Sequence, residues 1–258
     1  MSKDDMNPLE RFSSRVDDYV RYRPGYPDSL LRFLGEAAGL GPQMPVADVG
    51  SGTGIFARLL LDAGARVFAV EPNDAMRGAA EAWLGGRPGF ASLKGTAEAT
   101  GLPDRSVSLV TCAQAFHWFD PVATRREFMR ILKPAGWCAL IWNTPAGLGE
   151  GFAAGFEELK NRFGTDYQRV RQETVGVTGH LDGFYGNRLW GKHLYPNNQD
   201  LDFDGLRGRM ESASYSPPKG HPNHLPMLEA LRRLFDRFQS GGTIRMEYGT
   251  EAFLGRFT

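Results

Sequence analysis

Two cysteines, Cys112 and Cys138, are all that the 258-residue chain carries, and each falls inside an apolar strand-like run. Such a chain does not hold itself together with disulfides, and buried reduced thiols in a cytoplasmic protein are expected. Long hydrophobic runs are also missing. None approaches the ~20 residues that a membrane-spanning helix needs, and the opening MSKDDMNPLE lacks the apolar centre of a signal peptide. Excess charge of either sign is absent, with 30 Lys plus Arg against 30 Asp plus Glu. A general role on nucleic acids or membrane surfaces shows as a basic excess or stripe, so neither partner is expected. Repeats, low-complexity tracts and metal-ligand spacings do not occur either, and no metal is expected. The length suits one large α/β domain, or such a domain with a cap.

What is present is organised around Val46–Phe56, VADVGSGTGIF. A short apolar run breaks into a turn at Gly50, Gly52 and Gly54, and a helical pattern starts at once. Strand, glycine turn and helix make the first unit of a doubly wound α/β sheet, which binds ligands at the carboxyl ends of its strands. A second strand, Arg66–Val70, ends in Glu71, well placed to accept hydrogen bonds from both hydroxyls of a ribose. The dinucleotide fingerprint is G-x-G-x-x-G, but Ile55 stands where its third glycine belongs. Asp48 lies just before the turn. A buried carboxylate is unfavourable beside a pyrophosphate and favourable beside an amino cation. The expected cofactor is therefore a nucleoside with a positive group and no phosphate, which describes S-adenosyl-L-methionine.

D-x-G-x-G-x-G, an acid ending the next strand and Thr96-Ala97-Glu98 before Leu102-Pro103 together resemble the class I S-adenosylmethionine-dependent methyltransferases. An Arg23-Pro24-Gly25-Tyr26-Pro27 segment and the stretch Ala115-Phe116-His117-Trp118-Phe119 extend the likeness to a set of small bacterial and fungal enzymes of methyltransferase type 11, similar to trans-aconitate methyltransferases. The resemblance is strong from Phe12 to about Asn143 and weak beyond. It implies a doubly wound, seven-stranded, mostly parallel Rossmann-like sheet with a helical cap. Residues 1–27 would form a lid, 28–143 the cofactor-binding core, and 144–258 the rest of the sheet with a substrate-side cap.

On this resemblance the cofactor site comprises Tyr19, Arg23, Asp48, Gly50, Ser51, Gly52, Glu71, Pro72, Met76, Thr96, Ala97, Glu98, Gln114 and Ala115. The loop at Thr96–Glu98 would lie along the adenine. His117 is the one candidate base. Tyr22, Trp118, Arg209 and Tyr215 are the substrate-side candidates. The expected reaction is methyl transfer to a small molecule, a carboxylate or hydroxyl among the candidate acceptors. Asp28, and then Asn73 or Asp74, are expected to cap helices. Leu-Lys-Pro-Ala-Gly at 132–136 reads as a turn, and Thr243–Tyr248 alternates as an edge strand should. Three rivals remain at this stage. A nicotinamide oxidoreductase is opposed by Asp48 and Ile55, and an RNA methyltransferase by the balanced charge. A cofactor-binding sensor without turnover fits the sequence as well. Oligomeric state is not legible.

Overall fold

A computed structural model of the chain describes residues 22–146, 150–169, 181–186 and 190–257. Tyr19, with most of the expected lid, lies outside the described residues. Helix α1 (Asp28–Ala38) buries Leu30, Leu34 and Ala38, four residues apart and therefore on one face. It ends at Gly39, whose left-handed backbone (φ 76°) lets its own N–H donate to Gly35 O and that of Leu40 donate to Leu34 O. Pro27, not Asp28, holds its N-cap position; Asp28 sits in the first turn, where the helix dipole favours a carboxylate.

Strands β1 (Pro45–Val49), β2 (Arg66–Val70), β3 (Phe90–Leu93), β4 (Val107–Ala113) and β5 (Leu132–Pro145) alternate with helices α2 (Ile55–Asp62), α3 (Asp74–Leu84) and α4 (Pro121–Ile131). After β5 come α5 (Gly151–Phe163), α6 (Leu181–Tyr185), β6 (Trp190–Leu201), α7 (Phe203–Glu211), α8 (His224–Phe238) and β7 (Ile244–Gly255). The seven strands lie in the order β3-β2-β1-β4-β5-β7-β6. The first five are parallel, and β7 runs antiparallel to both β5 and β6. The strand order reverses between β1 and β4, which opens a crevice at their carboxyl ends.

One face of the sheet packs Leu30, Leu34, Phe56 and Leu60 from α1 and α2, and the other packs Phe128, Ile131, Phe184 and Tyr185 from α4 and α6. A third core joins α5, α7 and α8 to the ends of β6 and β7 through Phe156, Leu206, Leu231, Ile244 and Met246. Among the described residues no helix is long and apolar enough to cross a membrane.

The carboxyl-terminal strands correct the sequence reading. β7 is an interior strand, bonded on both sides, and β6 is the edge. Alternation at 244–248 reports one covered face and one wet face, which an interior antiparallel strand shares with an edge strand. β6, antiparallel to β7, carries Pro196, Asn197 and Asn198; an edge strand tolerates a proline that an interior one would not. Leu132–Gly136 belongs to the start of β5, where Ala135 takes φ 63° and the register against β4 shifts.

Candidate active site

The glycine turn places a cleft at the reversal point. Its three glycines all have positive φ but serve different ends. At Gly50 (φ 68°) a Cβ would lie 2.5 Å from Ala115 Cβ, so the loop after β4 can close only on a glycine. At Gly54 (φ 89°) it would meet Leu84 of α3 at 2.7 Å. At Gly52 (φ 56°) a Cβ would have only Met76 Sδ near it, at 3.9 Å. Gly52 thus leaves the turn's backbone open to whatever occupies the cleft.

Glu71 closes the turn from the end of β2. Its Oε2 accepts from Gly52 N and its Oε1 from Asn73 N, both at 2.9 Å. Burial raises its pKa, opposed by those two hydrogen bonds and by Arg77. Each carboxylate oxygen has a second lone pair, so Glu71 can still accept from a ligand. Asn73 caps α3, accepting from Met76 N at 3.0 Å, which turns Met76 and Pro72 toward the cleft.

Asp48 is 1% exposed. Its Oδ1 accepts from Thr111 Oγ1 at 2.8 Å, while Oδ2 is buried without a hydrogen-bond partner. Burial pushes its pKa up to about 7; the Thr111 hydrogen bond opposes this, and the nearby Glu71 charge adds to it. Ser51 Oγ and Thr53 Oγ1, also lining the cleft, are buried without partners. One wall of this cleft therefore carries three oxygens without a hydrogen-bond partner among the described residues, one of them on a carboxylate.

The opposite wall comes from the ends of β4 and β5. Gln114 takes φ 59°, a left-handed conformation that is rare outside glycine. Its N–H donates to Ile141 O at 2.9 Å and its Nε2 to Asn143 O at 3.0 Å. Asn143 in turn donates to Gly25 O and accepts from Thr250 and Asn197, and Asn197 also donates to Gly25 O. This polar node fixes the segment after Tyr22 across the cleft. Arg23 Nη2 donates to Ser212 O at 2.8 Å, tying the same segment to the end of α7.

Of the expected site residues, Arg23, Asp48, Gly50, Ser51, Gly52, Glu71, Pro72, Met76, Gln114, Ala115, Trp118 and Arg209 line this one cleft. Six others are not among the residues lining it. Thr96, Ala97 and Glu98 are not among the lining residues. Residues 96 and 99 close a tight turn, which buries Ala97 in the core and leads Glu98 to accept from Asp120 N at the start of α4. His117 does not line the cleft: it sits in a single 3-10 turn with its ring 4.8 Å from that of Trp118. Its Nδ1 is buried without a partner, and burial pushes its pKa down to about 4. Tyr22 packs its ring onto Gly208 of α7, and Tyr215 lines a separate cavity beside Tyr167. Sequence reasoning gave no role to Thr53, Phe56 or Asn143, which also line the cleft. A polar residue directly after the apolar run of β5 was the available signal for Asn143.

A parallel sheet reversing between β1 and β4, with an antiparallel β7 inserted beside β5 and a glycine turn over an acid, is the class I methyltransferase fold. A methyltransferase domain model matches residues 47–140. An uncharacterized methyltransferase-like protein of Schizosaccharomyces pombe is 33% identical over 253 residues, covering 95% of this chain and 94% of the relative. The chain belongs to this methyltransferase family, whose cofactor is S-adenosyl-L-methionine. An uncharacterized methyltransferase of Mycobacterium tuberculosis is 41% identical over 133 residues, so that the match spans 52% of each chain. Among solved structures, one described as a type II methyltransferase from Anaeromyxobacter dehalogenans superposes with a TM-score of 0.66 at 22% identity, covering 91% of this chain and 98% of that one. This last likeness concerns the fold.

Proposed function

We propose that the chain transfers a methyl group from S-adenosyl-L-methionine to a small-molecule acceptor, with a carboxylate or hydroxyl oxygen as the candidate nucleophile. The observation that carries this reading is the pairing, in one cleft, of Glu71 at a strand end with the buried, unpartnered Asp48 Oδ2. The residues fit the cofactor. Asp48 receives the amino cation, and its raised pKa falls when that charge arrives. Glu71 accepts from the ribose hydroxyls with its remaining lone pairs, while Gly52 leaves room for the nucleoside. Pro72 and Met76 form a flat apolar wall for the adenine, and Ser51 and Thr53 supply hydroxyls. When bound, the cofactor supplies an electrophilic sulfonium methyl. Gln114, Ala115 and Trp118 shape the far wall, and Arg23 with Tyr26 covers the opening. Such a cleft works by alignment; holding two reactants in attack geometry removes about 7–11 kcal/mol of barrier.

Calorimetry with S-adenosylhomocysteine and NAD, on the wild type and on Glu71→Ala, tests the reading. S-adenosylhomocysteine should bind and NAD should not. Glu71→Ala should weaken binding about 100-fold, the worth of two hydrogen bonds to a charged acceptor. Binding of NAD in preference to S-adenosylhomocysteine would overturn it. Tight binding without labelled-methyl transfer to any member of a panel of small acids and alcohols would favour a sensor instead.

A further inference from the structure

A second cavity, of about 220 Å³, lies in the carboxyl-terminal layer between α5, α7 and the first half of β7. Two features join it to the cleft. Arg209 of α7 lines both. Along β5, Asn143 lines the cleft and Pro145 lines the cavity. Residues two apart on a strand share a face and stand about 7 Å apart. Tyr248, opposite Pro145 in the register, continues the cavity wall.

The lining combines apolar side chains, Phe152, Phe156, Met246 and Tyr248 among them, with five charged ones. Its charged members differ in their surroundings. Lys160 is 5% exposed, and its ammonium is held by Glu157 at 2.5 Å and by Tyr167 OH at 3.0 Å. Arg245 is exposed and held by Asp200 through two contacts of 2.8 Å. Glu150 and Glu247 are exposed at the rim, where water solvates them. Arg209 is half-buried and lines both the cavity and the cleft. A guanidinium offers five N–H donors in a planar fork that matches a carboxylate.

We propose that this cavity is the acceptor site, and that its ligand is a small acid with an aromatic or branched alkyl body. The body packs among Phe152, Phe156 and Met246, and the acid group meets Arg209 at the edge of the cleft. At the edge shared with the cleft, an amine would meet the positive charge of Arg209. A neutral alcohol would forgo the charge-assisted pair. The assignment rests on the methyl-transfer reading above.

The test is calorimetry of the protein loaded with S-adenosylhomocysteine, using phenylacetate, 2-phenylethanol and phenethylamine as probes. Phenylacetate should bind about tenfold more tightly than either of the others. Ala153→Phe fills the cavity from α5 without touching the cleft. It should abolish phenylacetate binding and leave S-adenosylhomocysteine affinity unchanged within about twofold. Arg209→Gln should bring phenylacetate down to the level of 2-phenylethanol, with Arg209→Lys restoring part of the difference; this second variant carries the test if Ala153→Phe does not fold. Unchanged phenylacetate binding in both variants overturns the proposal, as does equal binding of the three probes or binding of none at millimolar concentration. Failure of S-adenosylhomocysteine itself to bind would be a different result, and would remove the methyl-transfer reading on which the acceptor role depends.

Discussion

The amino-terminal half of the sheet builds its cleft from backbone, whereas the carboxyl-terminal layer builds its cavity from side chains. In the first, turn geometry does the positioning. Gly50, Gly52 and Gly54 hold left-handed conformations, Gly52 and Asn73 N–H groups bind Glu71, and strand ends set the height of each group. In the second, α5, α7 and α8 pack on β6 and β7 through Phe156, Leu206, Leu231 and Met246, and the pocket is the space those side chains leave. Backbone sites tolerate few substitutions because conformational freedom cannot be supplied by another residue. Side-chain pockets can be reshaped by exchanging apolar residues of similar volume. One half is thus suited to an invariant ligand and the other to a variable one.

Substitutions in the glycine turn give the largest effects that would break this contrast. Gly50→Ala drives a Cβ to 2.5 Å from Ala115 in a left-handed position, and should cost about 2–4 kcal/mol of stability by thermal or urea unfolding. Gly52→Ala shares the left-handed backbone but meets only Met76 Sδ at 3.9 Å, so it should cost about 1 kcal/mol. Its effect should fall on the ligand instead, with S-adenosylhomocysteine affinity down at least about tenfold. Equal loss of stability in both variants would mean that Gly52 serves packing and does not leave room for a ligand.

The next effect is a pH dependence. Asp48 titrates near pH 7 because burial outweighs its Thr111 hydrogen bond. Its folded pKa lies above the unfolded value, so its contribution to stability is fully present below about pH 4 and is lost as pH rises to about 7. Asp48→Asn should therefore melt higher than the wild type above pH 7 when no ligand is present. Binding an amino cation reverses the preference. Affinity for S-adenosylhomocysteine should rise about tenfold from pH 6 to pH 8, with proton release at the lower pH, and Asp48→Asn should flatten the profile. A flat wild-type profile would place the cation elsewhere.

The same contrast explains what was legible in the sequence. Glycine positions, the acid before them and the acid ending β2 are local signals, and they brought Asp48, Gly52 and Glu71 to one cleft because turn geometry is encoded within a few residues. The loop Thr96-Ala97-Glu98 was expected along the adenine; its acid accepts from Asp120 N, a partner set by how α4 starts. In β6, Pro196 and its two asparagines have little strand propensity, and the position at the sheet edge makes them acceptable. Asn143 depends on partners as distant as Gly25, Asn197 and Thr250, and no window along the chain contains them. Contacts between distant segments decide the carboxyl-terminal cavity almost entirely.

A smaller effect tests how the two halves are joined. Asn197 donates to Gly25 O at 2.9 Å and to Asn143 Oδ1 at 3.2 Å, so the edge strand holds the segment that covers the cleft. Asn197→Ala should cost about 1 kcal/mol there, read as S-adenosylhomocysteine affinity weaker by about fivefold or less with the thermal midpoint little changed. No change in affinity would mean that Asn143 alone carries the attachment.

The smallest expected effect concerns His117. As a general base it would contribute about 10²- to 10⁴-fold to the rate, and its loss would remove a limb from the pH–rate profile. His117 is not among the residues lining the cleft, and burial lowers its proton affinity. Trp118 and Ala115 face the cleft on either side of it, while its own Nδ1 is buried and its pKa is pushed down to about 4 by burial. A ring with that pKa is neutral throughout the range in which methyl transfer would be assayed, and accepts a proton weakly. His117→Gln should therefore lower kcat less than about threefold and leave the pH–rate profile in place. A loss of about 100-fold would require the 3-10 turn at Phe116–Trp118 to swing its histidine into the cleft when ligand binds. In that case a side chain would be the mobile part of a site otherwise fixed by backbone.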